Sequence, residues 1–156
     1  VMAAGKDGAT SASGLSRLKW HLRRNPDLLL LELGGNDGLR SIDPAVTRKN
    51  LANIIEHAQS EGLPVILAGM KMPLNYPKAY RSRFEAVFPK LASKYDTPLI
   101  PFLLKGVGGQ PEYNLPDQIH PNEAGHQKVA GHLLPHVEKV LHQHFLTAEN
   151  STSEKP

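Results

Sequence analysis

An aspartate and a histidine stand three residues apart in the segment NLPDQIHPNEAGH, as Asp117 and His120. In a Ser-His-Asp triad, the carboxylate orients the imidazole and the imidazole takes the proton of the serine. A separation of three residues makes the pairing local, so it needs little help from distant parts of the fold. The alternative is conformational, with Asp117 capping a turn and His120 merely preceding Pro121. We treat the pair as a candidate orienter and general base.

A second candidate lies in LELGGND, where Asn36 follows an apolar run and two glycines. Its side-chain amide is able to donate a hydrogen bond to a developing oxyanion. Gly34 and Gly35 allow a backbone to pass close to a ligand or to take a positive φ. The alternative is an ordinary turn after a strand, since Gly, Asn and Asp are all turn formers.

A third candidate is Gly8, in the glycine-bearing segment AGKDGATSASG. Backbone N–H groups in such a turn are able to bind an oxyanion, and Gly8 is the leading donor. A flexible entry loop explains the same residues equally well. The three segments form one catalytic site only if the fold brings them close together.

The composition indicates a soluble globular protein of one domain. The chain has 156 residues, of which 40% are hydrophobic and 21% charged. No apolar run approaches the roughly 20 residues of a membrane span. Lys plus Arg number 18 against 15 for Asp plus Glu, and they are scattered, so we expect no nucleic-acid partner. The absence of cysteine excludes disulfides, thiolate catalysis and zinc-thiolate sites, and leaves the redox compartment open.

Alternating helical and apolar segments predict an α/β sandwich with a mostly parallel sheet. The predicted strands are 27–33, 63–69 and 97–103, and the predicted helices are 14–24, 44–62, 78–95 with a kink or restart at Pro89, and 122–145 with a bend at Pro135. We expect the strand 27–33 to be central, and the polar tail 146–156 to lie outside the domain 1–145 and to be frayed. In such sheets, function collects at the carboxyl ends of the strands, and both GGND and DQIH are expected at that rim.

The order of the glycine-bearing turn, GGND, and DxxHP before a final helix resembles the SGNH hydrolases, also called GDSL esterases and lipases. The lysophospholipase, thioesterase I and arylesterase branch is the most similar, also in GLSRLKWHLRRNPDLLLLELGGNDGLR and VILAGMKMPLNY. The resemblance runs from Val1 to about Phe145. It implies a three-layer α/β/α sandwich with a mostly parallel, flavodoxin-like sheet whose first strand is absent from this chain.

The resemblance also implies roles for the candidate residues. Gly8 and Asn36 match the two donors of the oxyanion hole, and Asp117 and His120 match the orienter and the general base. The turn departs from the SGDTS of the branch, because it reads DGATS. The two differences, Asp7 in place of serine and Ala9 in place of aspartate, bear on the hydrogen bonds of the turn and on the placement of the Gly8 N–H.

The nucleophile of the family lies in a Gly-Asp-Ser block, and no such tripeptide occurs in the 156 residues. We expect the serine upstream of Val1, or lost. Ser11 and Ser13 are conceivable substitutes, but neither follows a strand-to-helix elbow. By resemblance, the missing first strand lies between a strand ending near Ala3 and the strand 27–33, and leaves a gap of roughly 9–10 Å. We expect a separate N-terminal fragment, a partner strand or a rearranged sheet to fill it.

By resemblance, the protein is a serine esterase or thioesterase that hydrolyses small-molecule carboxylic esters or acyl thioesters through an acyl-enzyme, without a cofactor. The rival interpretation is a catalytically inactive binding or structural remnant. Relatives of the branch favour a periplasmic or secreted location. Five histidines lie on the last predicted helix, namely His126, His132, His136, His142 and His144. We read them as a solvated face and expect no metal.

Overall fold

The computed structural model describes the backbone of residues 1–153 and the side chains of residues 1–146. The chain divides into two compact units, Val1–Pro101 and the residues from Phe102 onward. The first unit begins with a 3₁₀ turn at Ser11–Ser13. Its other elements are α1 (Gly14–Leu22), β1 (Leu29–Leu31), α2 (Gly35–Leu39), α3 (Pro44–Ser60), β2 (Val65–Ala68), α4 (Lys78–Glu85), α5 (Val87–Lys94) and β3 (Leu99–Ile100). The second unit contains a 3₁₀ turn at Pro111–Tyr113 and the helix α6 (Glu123–Ser153).

The three strands form a parallel sheet in the order β1-β2-β3. Leu29 pairs with Val65, and Leu67 pairs with Leu99. The strand β1 therefore lies at an edge of this sheet, and the prediction that it is central is wrong for the described residues. Residues 1–6 carry no regular secondary structure, so the strand expected near Ala3 is also not formed. A continuous apolar run indicates that both faces of a strand are buried, but it does not indicate whether other strands pair with its two edges.

The core of the first unit lies between helices and one face of the sheet. Leu51, Ile54 and Ile55 of α3 are at most 1% exposed, and they pack in one cluster with Val65 and Leu67 of β2. The intervening β2 residue Ile66 is also fully buried, although it points to the opposite face. Both faces of β2 are therefore covered, as its continuous apolar sequence predicts.

Two helix boundaries follow from proline and from a cap. Asp43 accepts a hydrogen bond from the Ala45 N–H at 3.0 Å, and Pro44 occupies the first helical position, which confirms the predicted start of α3. The predicted restart near Pro89 is also observed, since α4 ends at Glu85. Pro89 has no N–H to donate to the carbonyl four residues earlier, which is that of Glu85.

The last helix continues to Ser153, beyond the end predicted near Phe145, with Pro135 inside it. No glycine or proline follows Pro135 until Pro156, so the sequence contains no stop signal there. The frayed tail expected from residue 146 is therefore helical through Ser153, and residues 154–156 lie outside the described part. None of the helices described combines the length and apolar character that crossing a bilayer requires.

The core of the first unit should be sensitive at Phe84, which is 0% exposed and packs edge-on against Phe88 with ring centroids 5.5 Å apart. Phe84→Ala should lower the free energy of unfolding by about 3–5 kcal/mol, because a buried ring is removed and a cavity remains. Leu74→Ala, at an 83% exposed site, serves as the control and should change it by less than about 0.5 kcal/mol. Urea unfolding followed by circular dichroism measures both, and similar losses would contradict this account of the core.

Candidate active site

Asp117 and His120 form a hydrogen-bonded pair in the second unit. His120 Nδ1 lies 2.7 Å from Asp117 Oδ2. The other carboxylate oxygen accepts the backbone N–H groups of Ile119 and His120 at 2.9 and 3.0 Å. Because the carboxylate binds Nδ1, the proton of a neutral imidazole belongs on Nδ1, and the lone pair of Nε2 is left to accept a proton. The spacing predicted from the sequence therefore places the two side chains in the relation that a general base requires.

The same hydrogen bonds control the charge of Asp117. The backbone N–H of His120, its ring and the N–H of Ile119 hold the pKa of Asp117 at about 2, below the ordinary 3.8. The carboxylate is therefore ionised throughout the neutral range. Its side chain is 45% exposed and that of His120 is 64% exposed, so the pair contributes orientation more than stability.

A short hairpin-like loop carries this pair. The Leu115 N–H donates to the carbonyl of His120 at 2.8 Å, and the Gln118 N–H donates to that of Leu115 at 2.8 Å. Gln118 has a φ of +57°, which closes the turn. Asn114 and Pro121 form an antiparallel bridge at the open end of the loop. The loop is thus closed on both sides of the pair.

Asn122 connects the loop to α6. Its side-chain oxygen accepts the Gly125 N–H at 3.0 Å, which confirms the predicted cap, and its own N–H donates to the Tyr113 carbonyl at 2.9 Å. A Cβ atom on Gly125 would lie 2.1 Å from that carbonyl oxygen. The close approach of α6 to Tyr113 therefore requires glycine at position 125.

The second predicted pair, Gly8 and Asn36, is brought together in the first unit. Asn36 lies in α2, directly after β1 and Gly34, whose φ is +106°. Its Nδ2 donates to the carbonyl of Ala9 at 3.0 Å, which uses one of the two amide hydrogens. Gly8, with a φ of +65°, forms the turn before Ala9, and its N–H makes no hydrogen bond within the described residues. One N–H of each residue is thus available to a ligand.

A buried polar network beside this turn was not predicted from the sequence. Asp37 is 1% exposed and accepts the N–H of Ser11 at 2.8 Å and also its hydroxyl. Thr47 donates to the same carboxylate at 3.2 Å, and Asn50 donates to the Ser11 hydroxyl at 2.9 Å. The available signal is an aspartate a few residues after an apolar run, where turn formers are also common.

These contacts bear on the two serines considered as substitute nucleophiles. Ser11 is 1% exposed, and its hydroxyl both donates to Asp37 and accepts from Asn50. Ser13 donates to the carbonyl of Thr10 at 3.1 Å. The Ser11 hydroxyl is therefore engaged in hydrogen bonds inside the protein and is not accessible to a substrate.

Metal ligation has no evident candidate among the side chains of residues 1–146, where no group of three or more histidines and carboxylates is close enough to hold an ion. The rings of His132 and His136 are neighbours on α6, with centroids 5.8 Å apart. The structure thus describes two candidate pairs, each within its own unit: Asp117 with His120, and Gly8 with Asn36.

Comparison with known proteins tests the predicted family resemblance and fold class. The profile of the GDSL-like lipase/acylhydrolase family matches residues 1–128. The chain is 39% identical over 142 residues to the esterase TesA of Pseudomonas aeruginosa, which covers 90% of this chain and 71% of that protein. It is 39% identical over 123 residues to the thioesterase 1/protease 1/lysophospholipase L1 of Escherichia coli, which covers 78% of this chain and 59% of that protein.

A solved structure of TesA is similar as well, with a TM-score of 0.78 and 41% sequence identity. The match covers 82% of this chain and 72% of that chain. Another solved structure with a TM-score of 0.68 and 39% identity is described as an SGNH-hydrolase family esterase. The predicted family resemblance and the predicted α/β fold class are thereby confirmed.

The contact between Gly125 and Tyr113 predicts a selective effect of alanine. Gly125→Ala should lower the free energy of unfolding by about 1–3 kcal/mol, because a Cβ atom overlaps the Tyr113 carbonyl. Gly131→Ala is the matched control on the same helix, where a Cβ atom meets nothing within 4 Å. The control should be neutral or stabilising by up to about 1 kcal/mol. Urea midpoints decide, and equal shifts in the two variants would refute the contact.

The pKa of Asp117 predicts a titration with a midpoint near 2, measurable from its side-chain carboxyl carbon by NMR. Since the pKa is depressed in the folded protein, the loop contacts stabilise the fold above the ordinary pKa and weaken as the pH falls towards 2. His120→Ala should raise the midpoint only part of the way to 3.8, because the two backbone donors remain. A wild-type midpoint at or above 3.8 would contradict the observed contacts.

Proposed function

We propose that this chain, which belongs to the GDSL-like lipase/acylhydrolase family, supplies the general base, its orienting carboxylate and both oxyanion donors of a serine hydrolase. The family consists of hydrolases that act on esters, and the relatives are named esterase and thioesterase. The substrate class is a small carboxylic ester or acyl thioester. The observation that carries the proposal is the contact of His120 Nδ1 with Asp117, which leaves Nε2 as a proton acceptor.

In the proposed reaction, a serine hydroxyl attacks the acyl carbon and gives its proton to Nε2 of His120. Asp117 stabilises the imidazolium that forms. The carbonyl oxygen becomes an oxyanion and accepts hydrogen bonds from the Gly8 N–H and the free amide hydrogen of Asn36. His120 then returns the proton to the leaving alcohol or thiol. Water attacks the acyl-enzyme with His120 again as the base, which releases the acid and restores the serine.

The nucleophilic serine is proposed to lie outside these 156 residues, on a segment N-terminal to Val1 or on a separate fragment. Three observations support this placement. The chain contains no Gly-Asp-Ser, the Ser11 hydroxyl is buried and hydrogen-bonded, and β1 has an open edge in the described sheet. A strand that pairs with β1 would satisfy its free backbone groups and bring the serine in the same segment.

The acyl part of the substrate is proposed to be apolar. Leu115 precedes the Asp117–His120 pair in the loop and Ile119 lies between its two members, and these side chains belong to residues that are 46% and 42% exposed. Apolar side chains that remain in water next to a catalytic pair offer a surface for an acyl chain. A lysophospholipid or a long-chain thioester would use such a surface more fully than a short ester.

A fluorophosphonate probe tests where the nucleophile lies, because it phosphonylates an activated serine and releases fluoride. The protein that includes the upstream segment should be labelled on a serine of that segment, and the 156-residue chain alone should stay unlabelled. Labelling of Ser11 or Ser13 would contradict the proposed location. A folded full-length protein that takes no label would instead favour the inactive remnant.

Variants of the proposed site give a second test in the full-length protein. His120→Ala should reduce kcat for an aryl ester on the order of 10⁴-fold or more. Asn36→Ala should reduce it about 10²–10³-fold, because one oxyanion donor is lost. His142→Ala removes an exposed histidine of α6 and serves as the control, with kcat unchanged. Comparable activity in the His120 variant and the control would eliminate His120 as the base.

A further inference from the structure

We propose that Asp37 is a positioning residue, which clamps the segment from Lys6 to Ser11, here called the Gly8 turn, to the helix α2 that carries Asn36. It thereby sets the spacing of the two oxyanion donors. The catalytic consequence rests on the proposed function. The clamp itself depends only on contacts within the unit Val1–Pro101.

The Asp37 carboxylate is 1% exposed, so it depends on protein donors to replace water. Ser11 supplies two of them, its backbone N–H at 2.8 Å to Oδ2 and its hydroxyl to Oδ1. A buried polar group left without a hydrogen-bond partner lowers stability, because nothing compensates for its lost solvation. The Gly8 turn therefore cannot move away from α2 without leaving a buried carboxylate short of donors.

The clamp is also tied to the core. Thr47 of α3 is 0% exposed and donates to Oδ1 of Asp37 at 3.2 Å. Asn50, one turn later on α3, donates to the Ser11 hydroxyl at 2.9 Å. The Asp37 carboxylate and the Ser11 hydroxyl therefore connect the Gly8 turn to α3, and α3 packs in the core.

The residues next to Asp37 hold the same turn. Asn36 donates to the Ala9 carbonyl at 3.0 Å, and Arg40 donates to the Gly8 carbonyl at 3.1 Å. If the turn shifts, the Ala9 oxygen shifts, and the Asn36 amide loses the bond that orients its second hydrogen. Misplacement of a reacting group by about 1 Å is able to cost on the order of 10²-fold in rate.

A matched pair of variants separates positioning from simple structural support. Ser11→Ala and Thr47→Val each remove one hydroxyl donor from the same carboxylate oxygen, Oδ1. Only Ser11 belongs to the Gly8 turn. If the carboxylate is merely structural, the two losses should lower activity equally, whereas if it clamps the turn, the loss of the Ser11 donor should lower activity more.

Steady-state kinetics of the full-length protein give the first readout. We expect Ser11→Ala to lower kcat for an aryl ester about 10-fold or more with KM within about 2-fold, because the loss falls on the transition state. Thr47→Val keeps both Ser11 donors on the carboxylate, so it should lower kcat clearly less than Ser11→Ala does, at a comparable urea midpoint. Ser11→Cys, which keeps the size and offers only a weak donor, should lower kcat as well if Ser11→Ala does not fold.

Amide exchange in the 156-residue chain gives a readout that needs no activity. The Ala9 N–H donates to the Lys6 carbonyl at 3.2 Å and reports on the turn. Its exchange by NMR, and that of the Asn36 side-chain amide, should be faster in Ser11→Ala than in Thr47→Val. Equal exchange in the two variants, or equal losses of kcat, would overturn the clamp. A wild-type protein without esterase activity or fluorophosphonate labelling would overturn the proposed function, and the exchange comparison would then decide the clamp alone.

Discussion

The need to satisfy one buried carboxylate, that of Asp37, organises the candidate oxyanion site. A polar group removed from water is costly unless hydrogen bonds replace its solvation. Asp37 meets this requirement with donors separated from it by 26 and 10 residues, Ser11 and Thr47. The contacts bring together the Gly8 turn, α2 and α3, which no local interaction would hold in place. The geometry of the donors is therefore a tertiary property of this unit.

The proposed base, His120, and its proposed orienter, Asp117, are held in the opposite manner. Asp117 accepts all of its described hydrogen bonds from Ile119 and His120, within three residues of itself. The loop that carries them closes on itself through Leu115 and is joined to α6 by the Asn122 cap. Such an arrangement needs no buried charge, and it survives considerable exposure. A proton acceptor needs one correct neighbour, whereas an oxyanion site needs donors that converge from separate segments.

This difference explains what the sequence predicted and what it did not. The contact between Asp117 and His120 was predictable because a separation of three residues in a tight loop is enough to bring the two side chains together. Helix starts at Asp43 and Asn122 were predictable because a cap and a proline act within one turn. The role of Asp37 was not, since an aspartate after a strand looks the same whether it faces water or a buried serine. The edge position of β1 was also missed, because apolar patterning describes the faces of a strand and carries no information on its neighbours.

The altered turn sequence DGATS, in place of the SGDTS of the related branch, also becomes intelligible on this basis. The contacts that hold the turn use backbone atoms of Gly8, Ala9 and Ser11, namely two carbonyl oxygens and one N–H. The side chains at positions 7 and 9 take no part in them, so their replacement leaves the clamp intact. The side chain that does take part is the Ser11 hydroxyl, and this serine is kept. A turn that is held by hydrogen bonds to its backbone tolerates changes in its side chains, as long as the partner residues Asn36, Asp37 and Arg40 keep their positions.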